Sequence, residues 1–173
     1  QVCASAFNTR ALHYRLSKNI ALTDIRAAVI VQEMIEGEVS GVMFTAHPTT
    51  GSRQHALISA AWGIGEGIVA GICNTDEYSI NLNSSHIDSK LADKDLAVVF
   101  DNQAQRGTIE VHTPEDKRHI ACLNTQQIIE LRDIGKAIAE HRRFPQDIEW
   151  AYSKGQFYIL QTRPITRLPA PTQ

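Results

Sequence analysis

The chain has little of what marks secreted, membrane-embedded or metal-clustered proteins. Cysteine occurs only three times in 173 residues, at Cys3, Cys73 and Cys122. An odd count at such wide spacing gives neither a disulfide framework nor a zinc-ligand pattern, and it fits a reducing cytosol. Each cysteine reads as a small buried hydrophobe. No apolar run approaches the about 18 residues of a membrane span, and no signal peptide opens the chain. Neither sign of charge is in excess: 17 Lys and Arg face 19 Asp and Glu, for a net charge of −2. That balance argues against a general nucleic-acid or anionic-membrane footprint. An initiator methionine is also absent. The chain starts at Gln1 in what reads as mid-helix, so a piece of something longer is expected.

Two motifs are incomplete in an informative way. Gly63-Ile64-Gly65-Glu66-Gly67 lacks the Lys-Ser/Thr end of a phosphate loop and the spacing of a dinucleotide fingerprint. Tight backbone packing, with Trp62 as core filler, is the expected role, and Glu66 is the polar group to watch. The histidines at 13, 47, 55, 86, 112, 119 and 141 are scattered, with no helical pair beside a Glu. They read as surface or cap residues.

What is present is an α+β pattern at the length of about one domain. Helix spacing of Ala11, Leu12 and Arg15 predicts a helix over 5–18. The β-branched run 27–33 predicts a buried strand. Further strands are expected over 40–45, 54–61 and 76–82, with short ones at 96–100 and 108–111 and a short helix near Gly65. Residues 83–115 are otherwise polar and carry little pattern. The best helix starts at Asn124, an N-cap with Gln127 as capping-box partner and Leu123 and Ile128 at staple positions. Ile128, Leu131, Ile134 or Gly135, and Ile138 form its apolar stripe. His141, Arg142 and Arg143 suit its C-terminal dipole, and Pro145 stops it.

The end of the chain carries the chemistry. Asp147-Ile148-Glu149-Trp150 and Leu160-Gln161-Thr162-Arg163 are strand-like runs joined through Ser153-Lys154-Gly155. A three-residue loop with Gly155 left-handed sets Tyr152 opposite Gln156, Glu149 opposite Ile159 and Asp147 opposite Gln161. Glu149, Gln161 and Arg163 then share one face. Two oxygen ligands and a guanidinium suit a magnesium–phosphate complex, because Mg²⁺ takes hard oxygen donors and Arg offers a planar fork to phosphate. A two-residue turn would shift the register by one and split the group. A merely solvated hairpin face is the competing reading.

These residues carry a resemblance. Asp147-Ile148-Glu149-Trp150, then Gly155, then Leu160-Gln161-Thr162-Arg163-Pro164-Ile165-Thr166 resembles the end of the ATP-grasp domain of the phosphoenolpyruvate synthase and pyruvate phosphate dikinase family, which includes rifampin-type phosphotransferases. Val29 to Met34 resembles the family's adenine-side strand. Val39 to Pro48 with Gly51, Ser59 to Gly71, and Cys3 to Arg15 also resemble family segments, in the family's order.

The resemblance implies the C-terminal part of an ATP-grasp domain over 1–166: α+β, with a mainly antiparallel sheet and packed helices. Residues 167–173 would be a linker toward a phosphohistidine domain. It implies ATP and Mg²⁺ as cofactors, with Glu149 and Gln161 as metal ligands. Arg163 would neutralise the transferring phosphoryl beside Gln161. Gln32 would read adenine, supported by Glu33 and Met34. The whole enzyme, in the cytoplasm, would use ATP to phosphorylate a histidine of another domain, and the phosphoryl would pass to pyruvate on a further domain. This piece by itself is expected to be inactive. The family's upstream phosphate-gripping lysine and arginine and its Gly-rich loop are missing here. Thr75-Asp76-Glu77-Tyr78 stands where a Pro-Asp pair is usual. A rifampin-type or other small-molecule phosphotransferase, or a non-catalytic ATP-sensing module, remains as an alternative.

Overall fold

A six-stranded sheet, antiparallel at every pairing, carries most of the chain's apolar burial. The computed structural model describes residues 2–23, 28–104, 106–166 and 168–169. It divides into two compact units, 1–34 and 35–173.

The first unit holds α1 (Val2–Ser5) and α2 (Thr9–Ser17). The single helix expected over 5–18 is therefore two. The break falls at Asn8, whose side chain accepts the Ala11 N–H at 2.8 Å and so starts a helix of its own. Cys3 is exposed, against expectation: a single turn of helix presents no apolar stripe wide enough to bury it. The strand expected over 27–33 is not formed among the described residues 28–34. Ile30 and Val31 are 88% and 95% exposed. β-Branched propensity is a fit to a pleated, half-buried surface, and it makes no strand where no neighbouring strand supplies that surface.

The second unit contains β1 (Val39–Phe44), β2 (His55–Trp62), α3 (Glu66–Val69), β3 (Asp76–Asn81) and β4 (Ile87–Lys90). β5 (Leu96–Phe100) and β6 (Thr108–His112) form a separate two-stranded sheet. Then come α4 (Glu115–Arg118), α5 (Thr125–Arg142), β7 (Gln146–Ser153) and β8 (Gln156–Pro164). The six-stranded sheet runs in the order β4-β3-β2-β1-β7-β8. The sequence pattern anticipates all of these except β4 and α4. β4 is an edge strand with only Ile87 half-buried, so its residues show no apolar alternation.

α5 begins as its sequence dictates. The Asn124 side chain accepts the Gln127 N–H at 2.9 Å, and the Asn124 N–H donates to the Gln127 side chain at 2.8 Å. Leu123 and Ile128 both join the main core. Ile128, Leu131 and Gly135 are the buried stripe, with Ile138 packed against the core and Met43 lying against Gly135. The helix ends at Arg143, with φ 57°, just before Pro145. α5 covers one face of the sheet, burying Met43, Ile58, Tyr78, Ile80, Ile148 and Trp150.

A buried ion pair ties this packed face together. Lys94 Nζ lies 2.6 Å from Asp76 Oδ1, and both side chains are 0% exposed. Asp76 also accepts N–H bonds from Ala92 and Cys122, both at 2.9 Å, and the Tyr78 hydroxyl at 3.2 Å. One carboxylate thus joins β3, the 92–94 segment and the approach to α5. Burial, then the charge of Asp76, pushes the Tyr78 phenol up, and the same two causes push up the Cys122 thiol. Asp76 is thus a core residue at the start of β3, so the departure at Thr75-Asp76 lies in more than a surface loop.

Candidate functional site

The face of the sheet away from α5 carries a polar row across its middle, and at Ala61 it packs on a second, smaller core with Cys73 and Val98. Antiparallel register places Val42 beside Ser59 on one side and beside Glu149 on the other. Glu149 pairs with Gln161, Ser59 with Glu77, and Glu77 with Lys90. Directly paired residues share a face. Gln161, Glu149, Val42, Ser59, Glu77 and Lys90 therefore form one transverse row across all six strands. Val42 belongs to this face because its neighbours Gly41 and Met43 point into the α5 core, Gly41 against the Trp150 ring.

The hairpin reaches this arrangement by a route the spacing did not predict. Ser153 pairs with Gln156, so the turn is two residues, Lys154-Gly155, with φ of 51° and 82°. Both lie in the left-handed region that the favoured two-residue hairpin needs. The expected partners change accordingly. Tyr152 faces Phe157 rather than Gln156, and Trp150 faces Ile159. Left alone, that register would have split the polar group. A bulge between Glu149 and Trp150 inserts Leu160 as an unpaired residue on β8. The slip is cancelled, Glu149 faces Gln161, and Asp147 faces Arg163.

Side-chain contacts follow that register. Gln161 Nε2 lies 3.4 Å from Glu149 Oε1. Arg163 donates to Asp147 Oδ2 twice, from Nε at 2.8 Å and from Nη2 at 2.7 Å. The Asp147 side chain is 10% exposed and that of Arg163 62%. A sheltered carboxylate thus holds one edge of the guanidinium while the rest meets solvent. Sequence reasoning gave Asp147 no role, although its place two residues before Glu149 already put it on the same face.

The donor set fits a magnesium ion. Glu149 supplies a carboxylate, a hard oxygen donor, and its Oε1 accepts the Gln161 amide N–H at 3.4 Å; rotated about its last side-chain bond, that amide would offer its oxygen as a second hard donor. Among the described residues no group of three or more His, Cys, Asp and Glu would hold a metal by itself. Two protein ligands with substrate phosphates completing the shell is the usual magnesium arrangement.

The other expected site residues lie in the first unit. Gln32, Glu33 and Met34 are exposed and outside any strand. The structure thus brings Glu149, Gln161 and Arg163 onto one face and leaves Gln32, Glu33 and Met34 in an irregular stretch of a separate unit.

The Gly-rich segment has a packing role. Gly63 has φ 83° and bridges to Val98, where a Cβ would stand 2.2 Å from the Val98 carbonyl oxygen. Trp62 packs on the core and donates from Nε1 to the Lys117 carbonyl at 3.0 Å. Glu66 accepts the Thr108 hydroxyl at 2.8 Å. His47 is a cap: its Nδ1 accepts the N–H groups of Thr49 and Thr50 at 3.2 and 3.3 Å. Among the described residues no helix is long and apolar enough to cross a membrane.

Fold and geometry together define an α+β unit whose mainly antiparallel sheet has one face packed by α5 and a polar row across the other. The family follows from comparison with known proteins: residues 1–173 match the pyruvate phosphate dikinase, AMP/ATP-binding domain, and the chain belongs to that family. It is 39% identical over 98% of its length to a probable phosphoenolpyruvate synthase of Pyrococcus horikoshii, of which it covers 21%. It is 39% identical over 95% of its length to the phosphoenolpyruvate synthase of Pyrococcus furiosus, again covering 21%. The rifampicin phosphotransferase of Bacillus subtilis is 36% identical over 95% of the chain, which covers 19% of that protein. The chain thus spans about a fifth of the length of these relatives. The family supports ATP as the ligand.

Proposed function

We propose that this chain is the C-terminal part of an ATP-grasp domain, over residues 1–166, in a longer dikinase resembling phosphoenolpyruvate synthase. Residues 167–173 would lead to a phosphohistidine domain; apart from 168 and 169 they lie outside the described residues. The observation that carries the reading is the Glu149–Gln161 pair of the polar row, beside an Asp147-held Arg163.

Phosphoryl transfer needs chiefly positioning and electrostatic stabilisation from the protein. Glu149 and Gln161 would hold Mg²⁺, which when bound neutralises charge on the polyphosphate. Arg163, fixed along one edge by Asp147, presents its free edge to the phosphoryl oxygens. The hairpin's rigidity, given by a two-residue turn and a bulge, fixes the spacing between these groups. Gln32, with Glu33 and Met34, would read the adenine edge. The phosphoryl would pass to a histidine of another domain and then to pyruvate, giving phosphoenolpyruvate, AMP and phosphate with water consumed.

A second acceptor is favoured by a specific observation. The rifampicin phosphotransferase matches at 36% identity, close to the 39% of the synthases. Assay of the full-length enzyme with pyruvate and with rifampicin separates the two. ATP-dependent phosphoenolpyruvate formation supports the synthase, and turnover of rifampicin alone refutes it. Base choice is tested in the same enzyme. Gln32→Ala is expected to erode preference for ATP over GTP by about 1–3 kcal/mol, the range for a hydrogen bond lost in a buried site. Unchanged selectivity moves the adenine contact elsewhere.

A further inference from the structure

A cleft of about 280 Å³ opens where β1 and β3 end and α5 finishes. Its polar lining is Thr45, Arg53, Asn83, Lys136, Glu140 and Arg143. It lies on the α5 side of the sheet, whereas the Glu149–Gln161 row is on the opposite face. Three cations meet one carboxylate here, in a chain whose net charge is −2. Among the described residues, none of the Arg53, Lys136 and Arg143 side chains has a hydrogen-bond or ion-pair partner.

Helix electrostatics explain part of this. Cations at a helix C-terminus offset its dipole, and His141 and Arg142 already do so. Arg53 comes from outside the helix, just before β2, and has no such reason to face the same cleft. Two guanidinium forks and an ammonium offer more donors than a single carboxylate can accept. Adjacent phosphoryl groups have the oxygens to use them.

We propose that this cleft is a second anion site, separate from the polar row, which takes a small molecule bearing adjacent phosphoryl groups. The proposal does not depend on the dikinase reading, because it uses none of the residues of the row.

The test uses the full chain, inorganic pyrophosphate as probe, low ionic strength and no divalent cation. Saturable binding is expected, weakened at least tenfold in Arg53→Gln/Lys136→Gln and changed less than twofold in Arg106→Gln, an exposed cation outside both the cleft and the polar row. Glu140→Gln is expected to tighten binding two- to threefold, a gain that misfolding cannot produce. Succinate is expected to bind at least tenfold more weakly than pyrophosphate. Non-saturable binding, equal affinity for succinate, indifference to the double substitution or to Glu140→Gln, or loss with Arg106→Gln would each overturn the assignment.

Discussion

Two aspartate–cation pairs sit on opposite faces of the same sheet, and they differ in what they leave free. Asp76 and Lys94 are fully buried, and the Asp76 carboxylate also accepts two backbone N–H groups and a phenol. Such a pair is saturated and offers nothing to a ligand. Asp147 instead accepts only one edge of Arg163, whose side chain is 62% exposed. The first arrangement joins segments of the fold. The second aims a cation outward while keeping its own carboxylate sheltered. What separates a structural ion pair from a site is the donor capacity left over after the pair has formed.

The largest expected effect falls on the buried pair. Lys94→Met leaves Asp76 charged and uncompensated inside the core, at a cost of about 3–5 kcal/mol. Denaturant unfolding should register that loss, and a change under ~1 kcal/mol would mean the pair is not integral to the core. Asp147→Asn comes next and acts differently. Removing a charged hydrogen-bond partner costs about 1.5–3 kcal/mol, which here should appear in turnover of the full-length enzyme as roughly a tenfold to hundredfold loss. Arg163→Lys should also lower turnover, because the planar fork is lost although the charge remains. If Asp147→Asn lowers stability but not turnover, the two pairs are of one kind and the contrast fails. Gly155→Ala is the smallest: with φ 82° a side chain there costs about 1–2 kcal/mol, read as a lower Tm with the hairpin register kept.

Much of this was legible in the residues, for identifiable reasons. α5 writes its start in Asn124 and Gln127, its stripe in Ile128 and Leu131 and its stop in Pro145, all local signals that tertiary packing then reinforced. The shared face of Glu149, Gln161 and Arg163 was also readable, but through the wrong turn. A three-residue loop was expected; a two-residue turn and a compensating bulge gave the same face. A bulge depends on the local twist of two paired strands, which period-two alternation does not encode. β4 was missed because an edge strand buries too little to leave an apolar pattern. Asp76 fell inside an expected strand, but its buried pairing was not legible because three of its partners, Ala92, Lys94 and Cys122, are distant in sequence. Val29 to Val31 misled in the opposite sense, since an apolar run implies burial only where something covers it.

The polar row's role turns on a single carboxylate. Glu149→Gln keeps the shape, and a half-exposed substitution of this kind should change stability by less than ~0.5 kcal/mol. The deciding measurement is ATP affinity of the full-length enzyme with and without Mg²⁺, in wild type and in Glu149→Gln, alongside turnover. Wild type should bind ATP more tightly with the metal. The variant should lose that enhancement, and its turnover should fall by orders of magnitude. An undiminished magnesium enhancement and near-normal turnover in Glu149→Gln would contradict the assignment of this face as the metal–nucleotide site.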